Sequence, residues 1–396
     1  MVLATVLIML LGTCCAKSTQ NRTAQDGQAA YDAGQYESAY RIWLELANGG
    51  DVNAQYALGN LYSAGQGVNK DDEIAAKWYE RAAESGQISA QNNIGVMYEN
   101  GRGVKKNCKK AIKYYRSAAD SVLSLAQYNM GSLYERGECV KNKDLQIAFQ
   151  WFKKAAENGW PAAQDKLGLF YANGQGIEKS DVEAVSWFLK AAEQGYAPAQ
   201  YNLANVYDYR RDLVHDNREI IKWYKKAAEN GMALAQYHLG LKYAAGDIVE
   251  KDFSSAAELF HASSDQGNLE AQYNLGLLYR TGKGVPKNHA EALRLIRKSA
   301  ESGLRVAQVY MGMRYLKGDD VSRDYAKAVE WFQMAAKQAS AEGQYYLATM
   351  YLKGNGVPKD PYKALEWYKK ASKLGLKKAT DIAERLENLM VEQRGK

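Results

Sequence analysis

Two apolar patterns alternate along this chain, and both are helical. From Asp51 to Gly86, Ala54, Leu58 and Tyr62 fall four residues apart on one face of a first helix. Gly59 stands beside Leu58, where a missing side chain lets a neighbouring helix approach closely. Gly65-Gln66-Gly67-Val68 follows, and glycine just past a helical stretch supplies the left-handed conformation that ends it. Ile74, Ala75, Trp78, Tyr79 and Ala82-Ala83 then mark a second helix, which stops at Gly86. The unit predicts helix, glycine turn, helix, glycine turn.

The unit recurs nine times. Its first-helix tyrosine returns every 36 or 37 residues, at Tyr62, Tyr98, Tyr134, Tyr171, Tyr207, Tyr243, Tyr279, Tyr315 and Tyr351. An Ala-Gln pair keeps the same time from Ala54-Gln55 to Ala307-Gln308, with Gly343-Gln344 as the ninth variant. The second helix places an aromatic or apolar anchor at Trp78, Tyr114, Trp151, Trp187, Trp223, Leu259, Leu295, Trp331 and Trp367. Burying such a side chain contributes roughly 1.5 to 3 kcal/mol. A fixed period of this length predicts a solenoid, whose units bury their apolar faces only against neighbours. Residues 24–51 predict a helix pair that caps one end, and residues 377–396 a polar amphipathic helix that caps the other. Gly65-Gln66-Gly67 and its equivalents are read as structural turns, because a phosphate-binding loop needs a preceding strand.

The pattern Ala54-Gln55, Leu58-Gly59, Tyr62, Gly65, Gly67-Val68, then Ala75, Trp78-Tyr79, Ala82-Ala83 and Gly86 resembles the Sel1-like repeat, a cousin of the tetratricopeptide repeat. The resemblance covers residues 52–376. It implies an all-α fold, a right-handed α/α superhelical solenoid of about nine helix-turn-helix repeats with helical caps, whose first helices line the concave side. It also implies an adaptor that assembles other proteins, often in bacterial envelopes or the endoplasmic reticulum.

Composition adds one feature, since 29 Tyr against 7 Phe suits a thin architecture with much half-buried surface. One residue after the Ala-Gln pair stand Tyr56, Tyr128, Tyr201, Tyr237, Tyr273 and Tyr345, and beside this place stand Asn93, Asn129, Asn202, His238 and Asn274. By resemblance these positions, and those just after the packing tyrosine, face the groove. The latter include Glu99, Asn100, Glu135, Arg136, Asn173, Asp208, Tyr209, Arg280, Lys317 and Lys353, acidic early and basic late. Tyrosine with amides is effective recognition chemistry. Two readings stay open: rings packed between successive first helices, or a peptide or protein groove. Unit five departs from the rule, running from Asp208 to His215 without a glycine in its turn.

Net charge is +7, a mild bias for so long a chain, and no aromatic-basic nucleic-acid motif occurs. Residues 1–16 are uncharged and too short to span a membrane, as a secretory signal would be, with cleavage after Ala16 and a polar linker over 17–23. Leu11-Gly12-Thr13-Cys14 also allows a lipid anchor through Cys14. The expected location is therefore periplasmic or secreted. Cys108 and Cys139 then remain, either as a disulfide between stacked loops or as two free thiols. His215, His238, His261 and His289 form no short-spaced ligand pair, and no catalytic elbow, zinc-protease motif or cofactor signature occurs. A non-catalytic scaffold for a protein or peptide partner is expected. A secreted effector-like binder of a host protein, or a binder of cell-wall glycan or exopolysaccharide, is the alternative.

Overall fold

The structure is a computed structural model that describes residues 23–214 and 216–394, so the expected signal, Cys14, most of the linker and His215 lie outside the described residues. Those residues form 21 α-helices, a short 3-10 turn over Arg211–Leu213, and no strand. They group into two compact units that divide after Gln194. Each repeat contributes two helices of 13 residues, such as Val52–Ala64 and Asp72–Glu84 in repeat 1. Ala24–Asp32 and Tyr36–Asn48 form the leading pair, fastened where Trp43 Nε1 donates to the Ala24 carbonyl at 3.2 Å. Lys377–Arg394 closes the other end by burying Ala379 and Ala383 against Tyr368 and Ala371.

The deepest side chain of each second helix lies one residue after the anchor read from the sequence. Tyr79, Tyr115, Phe152, Phe188, Tyr224, Phe260, Ile296, Phe332 and Tyr368 are all buried; of the expected anchors Trp78, Tyr114, Trp223, Leu295 and Trp331 are buried as well, whereas Trp151, Trp187, Leu259 and Trp367 are half-buried. Over the half-buried rings of Trp151, Trp187 and Trp367 lie Lys154, Lys190 and Lys370, at 4.5, 3.8 and 4.1 Å. The inner rings lie on the first-helix glycines. A β-carbon at Gly59 would stand 2.5 Å from the Tyr79 ring, so this glycine lets the second helix approach, as expected, with its ring in the space of the missing side chain. Where the inner residue is tyrosine its hydroxyl finds an acceptor, because a buried polar group without one costs free energy. Tyr79, Tyr224 and Tyr115 donate to Asn60, Asn205 and Glu99 at 2.7, 2.6 and 2.6 Å. Phe152, Phe260 and Phe332 face Ser132, Leu241 and Met313 at the place held by Asn60 and Asn205, and need no acceptor.

The glutamine of the Ala-Gln pair is a fastener. Gln55, Gln91, Gln127, Gln164, Gln236, Gln308 and Gln344 each donate to a carbonyl eight residues back, in the last turn of the preceding second helix, at 3.1 to 3.4 Å. The amide oxygen of Gln127, Gln164, Gln200, Gln236 and Gln308 accepts from the residue that caps its own second helix: Asn158, Gln194, Asn230, Gln266 and Gln338. In the other four repeats that cap is Ser85, Ser121, Ser302 or Leu374, and the buried oxygens of Gln55, Gln91, Gln272 and Gln344 accept nothing.

The second glycine of each Gly-x-Gly turn lies on the start of the preceding repeat's second helix. A β-carbon at Gly103 or Gly284 would fall 2.0 Å from the carbonyl oxygen of Asp72 or Phe253. Three repeats hold another residue there, still at positive φ: Cys139 at 59°, Ile248 at 60° and Asp320 at 64°. Cys139 bonds Cys108, which is the first residue of its helix and not, as expected, part of a loop; the Cα atoms lie 4.7 Å apart. Asp320 meets His289, also a first helical residue, at 3.3 Å.

Two outcomes are expected. Leu374→Gln supplies the donor that Gln344 lacks and should raise stability by about 1 kcal/mol in chemical denaturation, whereas Gln338→Ala should lower it by a similar amount. Reduction of Cys108–Cys139, which closes a loop over 31 positions, should destabilise the first unit by roughly 3 kcal/mol, read from hydrogen exchange over residues 108–136. Cys139→Gly should recover part of that loss, because glycine takes positive φ without strain.

Candidate interaction face

The eleven expected groove residues share one arrangement on the first helices, and all are half-buried. In five repeats the fifth side chain of the first helix is a tyrosine that leans on the inner ring of its own repeat. Ring centroids lie at 6.0 Å for Tyr56 and Tyr79, 5.3 Å for Tyr128 and Phe152, 6.1 Å for Tyr201 and Tyr224, 6.0 Å for Tyr237 and Phe260, and 5.6 Å for Tyr345 and Tyr368. A fifth side chain also reaches the sixth position of the next repeat. Asn129 donates to Asn92 at 2.9 Å, Tyr201 meets the His238 ring at 5.5 Å, and Tyr273 meets Tyr310 at 6.0 Å. Asn274 turns to the Glu270 carbonyl at 3.0 Å, and Asn93 lies beside Asn92. Tyr345 and Tyr346 lie under the Lys378 ammonium, at 4.4 and 5.4 Å. Packing between first helices is therefore present, and each of these side chains remains partly exposed.

Charge follows a different rule from the expected acidic-to-basic run. Glu99 is spent on the Tyr115 hydroxyl and on Arg136, and Glu135 pairs with Lys166 at 2.9 Å. The early acids of the first unit are thus fasteners between repeats. In the second unit Asp208 pairs with Lys242 at 2.6 Å and with Arg211 at 3.2 Å. Lys317 and Lys353 remain exposed. Two cations were missed in sequence: Lys242 and Arg314 occupy the tenth position, where Leu61, Met97, Leu133, Phe170, Val206, Leu278 and Met350 are apolar. That break in the column was the available signal. Arg314 is buried under Tyr310, at 4.8 Å from the ring, and its charge faces Asp319 at 3.3 Å.

Burial, aided by Lys242 and partly opposed by Asp208, holds the His238 imidazole below its usual range. Burial also pushes the Tyr79 hydroxyl up to about 12, and the Tyr224 hydroxyl higher still, with the charge on Asp208 adding to it. These hydroxyls are donors at any physiological pH. No group of three or more His, Cys, Asp or Glu able to hold a metal occurs among the described residues, and none of their helices is long and apolar enough to cross a membrane.

Helix pairs of constant length, fastened by the same glutamine and glycine contacts in each unit, define an α/α repeat solenoid. The chain belongs to the Sel1 repeat family, whose model matches nine times, over residues 52–87, 88–121, 124–160, 161–196, 197–232, 233–268, 269–304, 305–340 and 341–376. It is similar to c5321, described as a protective antigen of uropathogenic Escherichia coli with an SLR fold. The two are 33% identical with a TM-score of 0.73, over 92% of this chain and 80% of that one. It also resembles a Sel1 repeat protein of Oxalobacter formigenes, at 30% identity and a TM-score of 0.64, over 78% of this chain and 90% of the other. A comparison with curated proteins gave no match. Proteins built from such repeats generally act as scaffolds for protein interactions.

Because the His238 pKa is depressed in the folded chain, the unfolded chain binds more protons as pH falls through the ordinary imidazole range. Stability should therefore be full above that range and decline below it. His238→Asn places the amide found in the same position of repeats 2, 3, 5 and 7, and thermal melts of this variant from pH 7.5 to 5 (a window of about one unit either side of pKa ~6.5) should lose that component.

Proposed function

We propose that this chain is an exported, non-catalytic scaffold of the bacterial cell envelope, whose first-helix face takes a protein or peptide segment. One observation carries the reading: the fifth and sixth positions interlock from repeat to repeat within each unit, yet leave a row of tyrosine and amide side chains partly exposed. Rigid aromatic rings beside adaptable amides give contact area at little entropic cost. Export is supported by the Cys108–Cys139 disulfide, since such bonds persist in oxidising compartments, and by the likeness to a protein described as a protective antigen.

Site-directed photocrosslinking in cells tests the reading. A crosslinker at Asn274 or Asn93 should capture one dominant envelope protein, and one at Glu366 on a second helix should not. Lys317→Glu with Lys353→Glu should weaken that capture with little change in melting temperature, because both side chains are exposed. Equal capture from all three positions would remove the first-helix face from the mechanism. N-terminal sequencing of the mature chain checks export, and an intact Met1 would refute it.

A further inference from the structure

Repeat 5 carries a depression on its second-helix face that neither the first-helix ladder nor the fastening of repeats accounts for. It encloses about 440 Å3 between helix Asn217–Glu229 and the loop of the next repeat. Ile221 is buried at its floor, and Ile248 and Val249 wall it from the loop. Arg218, Lys222, Lys225 and Lys226 surround it, with Glu229 at one end. Arg218 and Lys222 meet Asp216 and Glu219 at 2.7 and 2.9 Å. Lys225 and Lys226 enter no ion pair among the described residues; they lie over the Tyr243 and Trp223 rings at 5.9 and 4.8 Å, with their ammonium groups open to solvent.

Ile248 singles this place out. A β-branched residue at a φ of 60° is an outlier, and such strain gathers at functional positions. Repeats 1, 2, 4, 7 and 9 hold glycine here. Cys139 and Asp320 answer the same strain with a covalent bond to Cys108 and an ion pair to His289. Ile248 makes neither; its half-exposed side chain forms the wall of the depression. The preceding turn is irregular as well, since the Arg211–Leu213 turn replaces the glycine loop of unit five and Arg211 crosses to Asp247 at 2.9 Å.

We infer that this depression docks a short acidic segment of a partner protein, separately from the first-helix face. Carboxylates of the segment lie over Arg218, Lys225 and Lys226, and an apolar side chain enters between Ile221 and Ile248. From Arg218 to Lys226 the cations extend over ~12 Å of helix, which three or four extended residues span. A compact inorganic anion would leave both that length and the aliphatic floor unused.

The full chain, titrated by fluorescence anisotropy with a labelled synthetic peptide rich in glutamate and leucine, tests the assignment. A lysine- and leucine-rich peptide serves as control and should not bind. Lys225→Glu with Lys226→Glu should abolish binding. Ile248→Gly relieves the backbone and removes the wall, so it should melt at the same or a higher temperature while binding about tenfold more weakly or worse. Wild-type affinity in either variant overturns the site, as does a lower melting temperature for Ile248→Gly, which would make Ile248 a packing residue. Competition by inorganic polyphosphate as effective as that of unlabelled peptide also overturns it, because the site would then read charge alone.

Discussion

The contact on which the architecture depends is that of a second-helix ring lying on a first-helix glycine. A β-carbon at Gly59, Gly95, Gly131 or Gly168 would stand 2.5 to 2.8 Å from the ring of Tyr79, Tyr115, Phe152 or Phe188, closer than such atoms approach. The depth of that ring fixes how near the two helices of a repeat come. It also fixes what lies above it, because a tyrosine at the fifth position of the first helix leans on the same ring, and Tyr201 reaches the next repeat from there. The half-buried first-helix face and the core are therefore two sides of one layer. Tyr201 cannot be truncated without exposing Tyr224, so loss of binding in a tyrosine-to-alanine variant would not by itself distinguish contact from support.

Between repeats the corresponding constraint is the turn that sits on the start of the preceding second helix. Glycine satisfies it twice over, through its left-handed φ and its lack of a side chain. The three exceptions show how one geometric demand admits different chemistry. Cys139 turns the close approach into a covalent link, Asp320 turns it into an ion pair with His289, and Ile248 leaves a depression walled with aliphatic groups. Only the first depends on the redox state of the compartment, which ties the stability of repeats 2 and 3 to an oxidising environment.

Most of the fold was legible because each repeat states it again. The tyrosine period, the glycine turns and the capping helices at both ends all follow from spacing alone. The inner ring was misjudged by one residue, since Trp78 and Tyr79 are adjacent and both aromatic, and hydrophobicity favours the tryptophan. Which of two neighbours points inward is settled by the glycine opposite, a long-range fact. Glu99 and Glu135 read as groove charges for a similar reason: nothing local says that Arg136 and Lys166 reach back to them. The eleven residues of the first-helix face are all half-buried, and a pattern of residue types cannot separate a packed ring from a binding ring.

That double use has a consequence for partner choice. Altering a first-helix side chain that also fastens repeats costs stability, whereas exposed positions such as Lys317 and Lys353 can be altered with little such cost. Selectivity on the first-helix face is thus expected to reside in the charged residues just after the packing tyrosine, with the tyrosine and amide ladder supplying affinity common to the array. Departures such as the glycine-free turn of unit five and Ile248 are of another kind. They break the repeat instead of decorating it, and a broken repeat is where a solenoid of similar units can place something that occurs only once.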